Sequence, residues 1–322
     1  MREITYIEAI REALTEELER DSKVFMLGED IGTYGGAFGV SKGFVQKFGL
    51  DRIRNTPMSE AALVGVSAGC AIGGMRPIVE IMFMDFLTLC MDQLLNHAVK
   101  YHHVSNGQLK VPLVIRTAAG GGRGYGATHS QSLEPLLISI PGLKIVYPST
   151  PYDAKGLLKA SIRDNNIVIF IENKLLYATR GIVPEEEYLL PIGKAKVIQL
   201  GDDVTIITYS RYLQESIAAA KESNLSVEIV DLRSLAPLDM ETISTSVKKT
   251  GKVIIIEEGC LTGGIGAEIA SKVMENCFDY LDFPIQRVAA KDIPIPCSPT
   301  LEKATLPSKQ DIVEALSKIK NR

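Results

Sequence analysis

The sequence has no run of lysine or arginine, and its formal net charge at pH 7 is -4. A protein that binds DNA or RNA needs a concentrated positive surface, so nucleic acid is not expected as a partner. Long apolar runs are also missing, since the longest, 65–75, is interrupted by glycines and too short to cross a bilayer. Residues 1–14 are too charged and acidic for a targeting segment, so we expect a cytoplasmic protein without a membrane.

Closely spaced cysteine pairs are absent. None of the cysteines has the two-residue spacing of a metal or redox motif, so we expect reduced structural thiols at Cys70, Cys90, Cys260, Cys277 and Cys297. Three of the four histidines share one apolar-periodic segment that offers no Cys or Glu at ligand spacing, namely His97, His102 and His103. A metal site made by this chain alone is therefore not expected.

What is present is typical of a compact α/β protein. The 322 residues are 46% hydrophobic and 23% charged, which predicts globular folding and about two domains. Short apolar runs without alternation predict strands that are buried on both faces, as in parallel sheets, at 24–27, 77–81, 111–116, 143–147 and 167–172. Apolar residues at three- and four-residue spacing predict intervening helices such as 7–18, 59–72 and 86–101.

The alternation stops at 173–194, where prolines, a glycine and an acidic cluster are typical of a linker. We therefore predict a first domain at 1–180, a linker at 181–195 and a second α/β domain at 196–322. In the second domain the predicted strands are 204–208, 227–231 and 253–257, and the predicted helices are 213–222, 239–247 and 264–274.

Two short motifs suggest other enzyme classes. Residues 65–69 have the Gly-x-Ser-x-Gly spacing of a hydrolase elbow, which requires a strand before the serine. Because 59–64 has helical spacing, Ser67 is expected inside a helix instead. Residues 263–266 follow a strand and open a helix, as a dinucleotide-binding turn does. Their glycine spacing is incomplete and no acidic residue ends a clear strand about twenty positions later, so a tight turn is the better interpretation.

Two other segments are candidates for catalysis. Five glycines among residues 120–126 follow a predicted strand and lead directly to His129. Loops at the carboxyl ends of parallel strands are where α/β folds bind ligands, although a surface loop with an incidental histidine is an equal alternative. Glu60 stands in the first turn of a predicted helix, where Ser59 as a cap and the helix dipole would explain it without any catalytic role.

Taken together, the motifs resemble the β subunits of the decarboxylating component of 2-oxo acid dehydrogenase complexes, a family related to transketolase. The resemblance covers nearly the whole chain and rests on the order and spacing of Gly28-Glu29-Asp30, Thr56-Pro57-Met58-Ser59-Glu60, Arg76-Pro77, Met91-Asp92-Gln93, Thr128-His129-Ser130-Gln131, Pro141-Gly142-Leu143-Lys144, Tyr152-Asp153-Ala154-Lys155-Gly156-Leu157, Arg163-Asp164-Asn165-Asn166 and Thr262-Gly263-Gly264-Ile265-Gly266-Ala267-Glu268. It implies two α/β domains, a transketolase-like pyrimidine-binding domain followed by a transketolase C-terminal domain.

The resemblance also implies thiamine diphosphate with Mg²⁺ as cofactor and a second polypeptide. Enzymes of this kind hold the diphosphate and Mg²⁺ through a Gly-Asp-Gly segment, which this sequence lacks. The family supplies that segment from an α subunit, in an α₂β₂ heterotetramer. A lipoyl-bearing acyltransferase core, bound through the C-terminal domain, would accept the acyl group.

By resemblance, Glu60 would hydrogen-bond the cofactor's aminopyrimidine and act in general acid–base catalysis, and His129 would assist acyl transfer to the lipoyl arm. Glu29 and Phe86 would also bind the cofactor, Phe86 by packing on the pyrimidine ring, although Phe86 is equally interpretable as a core aromatic. The family also has a monovalent-cation site, for K⁺, which would here comprise Leu113, Ser161, Asp164 and Asn166.

The substrate is left open between pyruvate, acetoin and branched-chain 2-oxo acids. Thr128 stands where many relatives have Gln, and Met84-Asp85 precedes Phe86 where several have an aromatic residue and Gly. These positions border the expected substrate pocket. Residues 82–86 and 148–152 look closest to pyruvate dehydrogenase and acetoin dehydrogenase relatives. Two alternatives from other classes also stay open: a self-sufficient nucleotide-binding oxidoreductase and a non-catalytic assembly subunit.

Overall fold

A computed structural model describes residues 1–320 of the chain. Contacts between residues divide the chain into two compact units. The first comprises Met1–Ala119 and Ser139–Ile192, and the second comprises Gly120–Ile138 and the chain from Gly193 onward. The division after Ile192 falls within the predicted linker 181–195, while the domain ranges themselves stay a prediction.

The chain alternates strands and helices along its length. The strands are β1 Arg2–Thr5, β2 Val24–Gly28, β3 Ile53–Asn55, β4 Arg76–Ile81, β5 Val114–Ala119, β6 Lys144–Val146, β7 Val168–Asn173, β8 Arg180–Val183, β9 Lys196–Gln199, β10 Val204–Thr208, β11 Val227–Asp231, β12 Ser234–Ala236, β13 Val253–Cys260 and β14 Gln286–Ala290. The α-helices are α1 Tyr6–Arg20, α2 Phe44–Phe48, α3 Glu60–Ile72, α4 Tyr101–Val104, α5 Glu134–Ile138, α6 Pro151–Arg163, α7 Tyr212–Glu222, α8 Met240–Thr250, α9 Ile265–Cys277, α10 Pro299–Thr305 and α11 Lys309–Lys320.

The first unit is built on a parallel sheet in the order β6-β7-β5-β4-β2-β3. Every residue of β2, β5 and β7 is buried, as the continuous apolar runs predicted. Helices α1 and α6 pack against each other, and their apolar faces join the sheet in one core. A capping box between Thr5 and Glu8 fixes the start of α1.

Arg116 connects the three central strands of this sheet inside the core. Its guanidinium lies 2.7 Å from Glu80 on β4 and 2.8 Å from Glu172 on β7, and its side chain is 2% exposed. Tyr177 donates a further hydrogen bond to Glu172. A buried guanidinium requires such pairing, because an isolated charge in this environment would be strongly destabilising.

The second unit has a sheet in the order β14-β13-β10-β11-β9, parallel except for β9, which is antiparallel to β11. Its core joins apolar residues of the central strands to α7 and α11. The predicted strands 204–208 and 227–231 are confirmed with identical bounds. Among residues 1–320, no helix combines the length and the apolar character needed to span a membrane.

Two sequence predictions were wrong in detail, and three others, at 239–247, 253–257 and 264–274, end three residues too early. The single helix predicted at 86–101 is instead a 3-10 helix at Met84–Cys90, a π-helical turn at Gln93–Ala98 and the short α4. The amide of Val99 donates to the carbonyl of Leu94, five residues back, which makes this a wider π-helical turn. Apolar periodicity alone cannot distinguish such a turn from an α-helix. The strand predicted at 111–116 begins three residues later, at Val114.

Candidate active site

Glu60 begins α3, as the sequence predicted, and its side chain is half-buried. The explanation of this segment as a simple helix cap is weakened, because the Ser59 side chain makes no capping hydrogen bond. Its hydroxyl donates to the carbonyl of Pro57 (3.3 Å) instead. The backbone amide of Ser59 donates to the carboxylate of Glu29, which follows β2. The structure thus brings the predicted cofactor residues Glu29 and Glu60 to one place.

The Glu29 carboxylate has an unmet hydrogen-bonding capacity. Its Oε1 atom is buried and has no hydrogen-bond partner. Burial raises the pKa of Glu29, and the neighbouring charge of Glu60 raises it further. A buried oxygen without a donor costs free energy, and a ligand that presents an N–H group would satisfy it. An aminopyrimidine presents such groups, so these two residues fit the cofactor that the resemblance implies.

Phe86 lies on the 3-10 helix Met84–Cys90, which packs against α3. Its ring meets that of Phe83 edge to face, with centroids 6.0 Å apart, and remains half-buried. At the end of the same helix, burial and the charge of Glu60 raise the pKa of Cys90 to about 12. Glu60 therefore lies near this helix, and Cys90 stays a neutral thiol at physiological pH.

His129 belongs to the second unit, on a loop at 120–131 that we call the His129 loop. The loop follows β5 directly, as expected for a ligand loop at the carboxyl end of a parallel strand. The Thr128 hydroxyl lies 3.0 Å from Nδ1 of His129, so the two neighbouring side chains orient each other. His129 is half-buried and Thr128 is exposed.

A cavity of about 680 Å³ lies beside this loop within the second unit. Residues of the loop and its continuation form one wall, and the end of β13 with residues 290–295 forms the other. Thr128, the position where this sequence departs from many relatives, lines the cavity. The volume is in the range of small-molecule sites.

The glycine turn at 263–266 does not provide a phosphate site. Helix α9 begins within it, at Ile265, and the carboxylate of Glu257 lies against the turn: a Cβ atom added to Gly264 would lie 2.4 Å from its Oε2, and one added to Gly266 would lie 2.4 Å from its Oε1. Arg287 donates to Glu257, at 2.8 Å. A carboxylate of the chain itself therefore occupies the position where a helix N-terminus would bind an anion, which removes the main support for the nucleotide-binding alternative.

The hydrolase motif at 65–69 is also excluded by its surroundings. Ser67 lies within α3 and is fully buried, as the helical spacing predicted. A nucleophile elbow needs an exposed serine at a strand-to-helix turn.

The four predicted cation residues lie in the first unit, and hydrogen bonds connect three of them, Ser161, Asp164 and Asn166. The amide of Asp164 donates to the carbonyl of Ser161 (3.2 Å), and the amide of Asn166 donates to Oδ1 of Asp164 (2.8 Å). The carbonyl of Leu113 accepts from Val168 (3.0 Å). The Lys144 ammonium lies 2.5 Å from Oδ2 of Asp164. Within residues 1–320, no cluster of three His, Cys, Asp or Glu side chains could hold a metal ion.

Glu134 is a buried carboxyl that sequence patterns did not indicate. Tyr209 donates a 2.8 Å hydrogen bond to its Oε1, while Oε2 has no partner. Burial raises the pKa of Glu134 to about 7, and the charges of Glu258 and Glu257 add to the effect. Because the ordinary value is 4.5, the folded protein binds an extra proton between about pH 4.5 and about 7.

We therefore expect the contribution of Glu134 to the free energy of unfolding to fall as the pH rises through that window. Glu134→Gln keeps the carbonyl that accepts from Tyr209 and removes the charge. It should be near neutral at pH 5 and should stabilise the protein at pH 8 by on the order of 1–3 kcal/mol. Chemical unfolding at both pH values measures this, with the exposed Glu314→Gln as control. Equal effects at the two pH values would contradict the prediction.

Comparison with known proteins identifies the two transketolase-type domains that the resemblance implied. Residues 2–179 match the transketolase pyrimidine-binding domain, and residues 193–312 match the transketolase C-terminal domain. A solved structure described as a split gene transketolase, inactive beta4 tetramer, matches with a TM-score of 0.80 over 98% of both chains. At 23% identity this similarity shows the fold alone.

Close relatives extend over the full length. The chain is 48% identical to the pyruvate dehydrogenase E1 component subunit beta of Gracilaria tenuistipitata var. liui, covering 99% of this chain and 100% of the relative. It is 44% identical to the protein of the same name from Rickettsia bellii (strain RML369-C), covering 98% of each. With both domain matches, this confirms the resemblance found in the sequence: the chain belongs to the family of transketolase-like β subunits of the pyruvate dehydrogenase E1 component.

Proposed function

We propose that this chain is the β subunit of a thiamine-diphosphate-dependent oxidoreductase that decarboxylates pyruvate and transfers the acyl group to a lipoyl arm. The pairing of Glu60 with Glu29, whose buried Oε1 lacks a donor, is the observation that carries the proposal. Relatives at 43–48% identity are named for pyruvate dehydrogenase, which favours pyruvate over acetoin or branched-chain acids.

The proposed active form is an α₂β₂ heterotetramer. The sequence has no Gly-Asp-Gly, so the α subunit would hold the diphosphate and Mg²⁺. The relatives are themselves named as one subunit of a component, which supports a partner chain. The second unit would dock the lipoyl-bearing acyltransferase. A cytoplasmic location stays a prediction.

When bound, thiamine diphosphate would supply the electron sink for loss of carbon dioxide. Glu60 would accept a hydrogen bond from the pyrimidine ring nitrogen and hold the proton at its carboxylate. Glu29 would offer its free oxygen to a second donor. Phe86 would orient the ring by packing against it. His129 would hold or move a proton during acyl transfer.

We also propose K⁺ at Leu113, Ser161, Asp164 and Asn166. The ion would compete with Lys144 for the Asp164 carboxylate, because both are cations that require the same oxygen. Such an ion would stabilise the turn after α6 rather than take part in the chemistry.

Co-expression with its α subunit tests the proposed function. With thiamine diphosphate and Mg²⁺, the purified tetramer should release carbon dioxide from pyruvate faster than from branched-chain 2-oxo acids and should not cleave acetoin. The chain alone should show neither activity nor NAD binding. Measuring the same activity in KCl and in tetramethylammonium chloride tests the proposed K⁺ site, because only KCl supplies an ion that can occupy it. Turnover by the chain alone, or a clear preference for acetoin, would contradict the proposal.

A further inference from the structure

The His129 loop has a backbone that requires external support. Gly120, Gly122, Gly124 and Gly126 all have φ between 71° and 97°, a region that glycine adopts without a steric penalty. A segment so rich in glycine has many accessible conformations when it is free. The position of His129, three residues after Gly126, therefore depends on contacts that restrain the glycines.

Two buried carboxylates provide those contacts. The Gly122 amide donates to Oε1 of Glu302 (2.8 Å), and the Gly124 amide donates to its Oε2 (2.7 Å). The Gly121 amide donates to Oε1 of Glu258 (2.6 Å). Hydrogen bonds from backbone amides to a carboxylate are short and about twice as strong as neutral ones.

The burial of Glu302 makes this arrangement mutual. Glu302 lies on α10 and is 1% exposed, although it carries an ionisable carboxyl group. A buried carboxylate is tolerated only where donors replace its lost water, and the two loop amides occupy both of its oxygens. The carboxylate therefore fixes the loop, and the loop makes burial of the carboxylate possible.

The loop is also packed closely on the same C-terminal segment. A Cβ atom added to Gly121 would lie 2.8 Å from Cδ1 of Leu306, and one added to Gly126 would lie 2.5 Å from Sγ of Cys297. Both distances are shorter than a normal carbon contact, so a side chain at either position would require Leu306 or Cys297 to move. Residues 297–306 therefore form the surface against which the loop is set.

We propose that Glu302 is a positioning residue that sets the location of His129 by holding the amides of Gly122 and Gly124. The proposal rests on the proposed function, in which His129 serves acyl transfer. Glu302 acts through the backbone of the loop. Glu258 restrains the same loop one residue earlier.

The test compares three variants of the β subunit in the co-expressed tetramer. Glu302→Ala removes both acceptors, and Glu302→Gln retains one acceptor oxygen and nearly the same shape. Lys303→Gln changes the neighbouring exposed residue of α10 and serves as the control. Hydrogen–deuterium exchange of peptides covering 120–131 should be about tenfold faster in Glu302→Ala, intermediate in Glu302→Gln and unchanged in Lys303→Gln.

Two half-reactions are measured on the same samples. In Glu302→Ala, acyl transfer to a lipoyl domain should fall by about tenfold or more, with decarboxylation to an artificial electron acceptor changed less than about threefold. Unchanged exchange, or equal loss of both half-reactions, would overturn the proposal. If Glu302→Ala does not assemble, Glu302→Gln carries the test by the same criteria. An inactive wild-type tetramer would count against the proposed function alone, because the exchange result still decides whether Glu302 anchors the loop.

Discussion

Glu60→Gln should lower the rate of pyruvate decarboxylation by the reconstituted tetramer by about 10²- to 10⁴-fold. Glutamine has the same shape but carries no negative charge, so it cannot stabilise a protonated ring nitrogen or hold its proton. The half-buried position of Glu60 beside Glu29 strengthens this interaction, because water there screens charges less than it does at the surface. Release of carbon dioxide under saturating pyruvate measures the effect.

The control separates chemistry from helix stability. Glu268 is an exposed carboxylate in the first turn of α9, so Glu268→Gln removes the same favourable helix-dipole interaction. We expect it to retain nearly full activity. Cofactor binding, measured by calorimetry, should persist in both variants. Full activity of Glu60→Gln would make the chain a non-catalytic assembly subunit.

Much of the fold could be predicted because strands that are buried on both faces have a distinctive composition. The predicted strands at 24–27, 204–208 and 227–231 match β2, β10 and β11 within one residue of their observed ends, and the first of them is an unbroken apolar run. Such runs require no knowledge of distant contacts, since each strand needs only to be apolar on both faces. The start of α3 at Glu60 was predictable from other local signals, namely the helical spacing of apolar residues in 59–72 and the Ser59–Glu60 pair at its first turn.

Contacts between distant residues could not be predicted in this way. Glu302 holds a glycine that lies 180 positions earlier, and Glu258 holds one 137 positions earlier. In the sequence, Glu302 is one of two charged residues in 299–305, next to Lys303, and nothing local indicates that it is buried. The Oε1 atom of Glu29 that lacks a donor was equally unpredictable from the sequence, because only the fold decides which donors reach it.

His129→Ala should slow acyl transfer to a lipoyl domain by about 10²-fold or more, while carbon dioxide release to an artificial electron acceptor stays within about tenfold of wild type. The substitution should affect the two steps differently, because Glu60 and His129 are proposed to act in different steps. Glu60 would act while the substrate loses carbon dioxide, and His129 would act when the acyl group leaves for a thiol. Single-turnover measurement of each half-reaction, at saturating pyruvate and lipoyl domain, distinguishes them.

His103→Ala is the matched control, because His103 is exposed on α4 and has no proposed role. It should leave both half-reactions unchanged. Equal losses of both steps in His129→Ala would assign His129 to cofactor binding or decarboxylation instead of acyl transfer. The comparison also identifies the step that depends on the anchored loop. When His129 is already replaced by alanine, adding Glu302→Ala should slow acyl transfer little further, because Glu302 is proposed to act only through the position of His129.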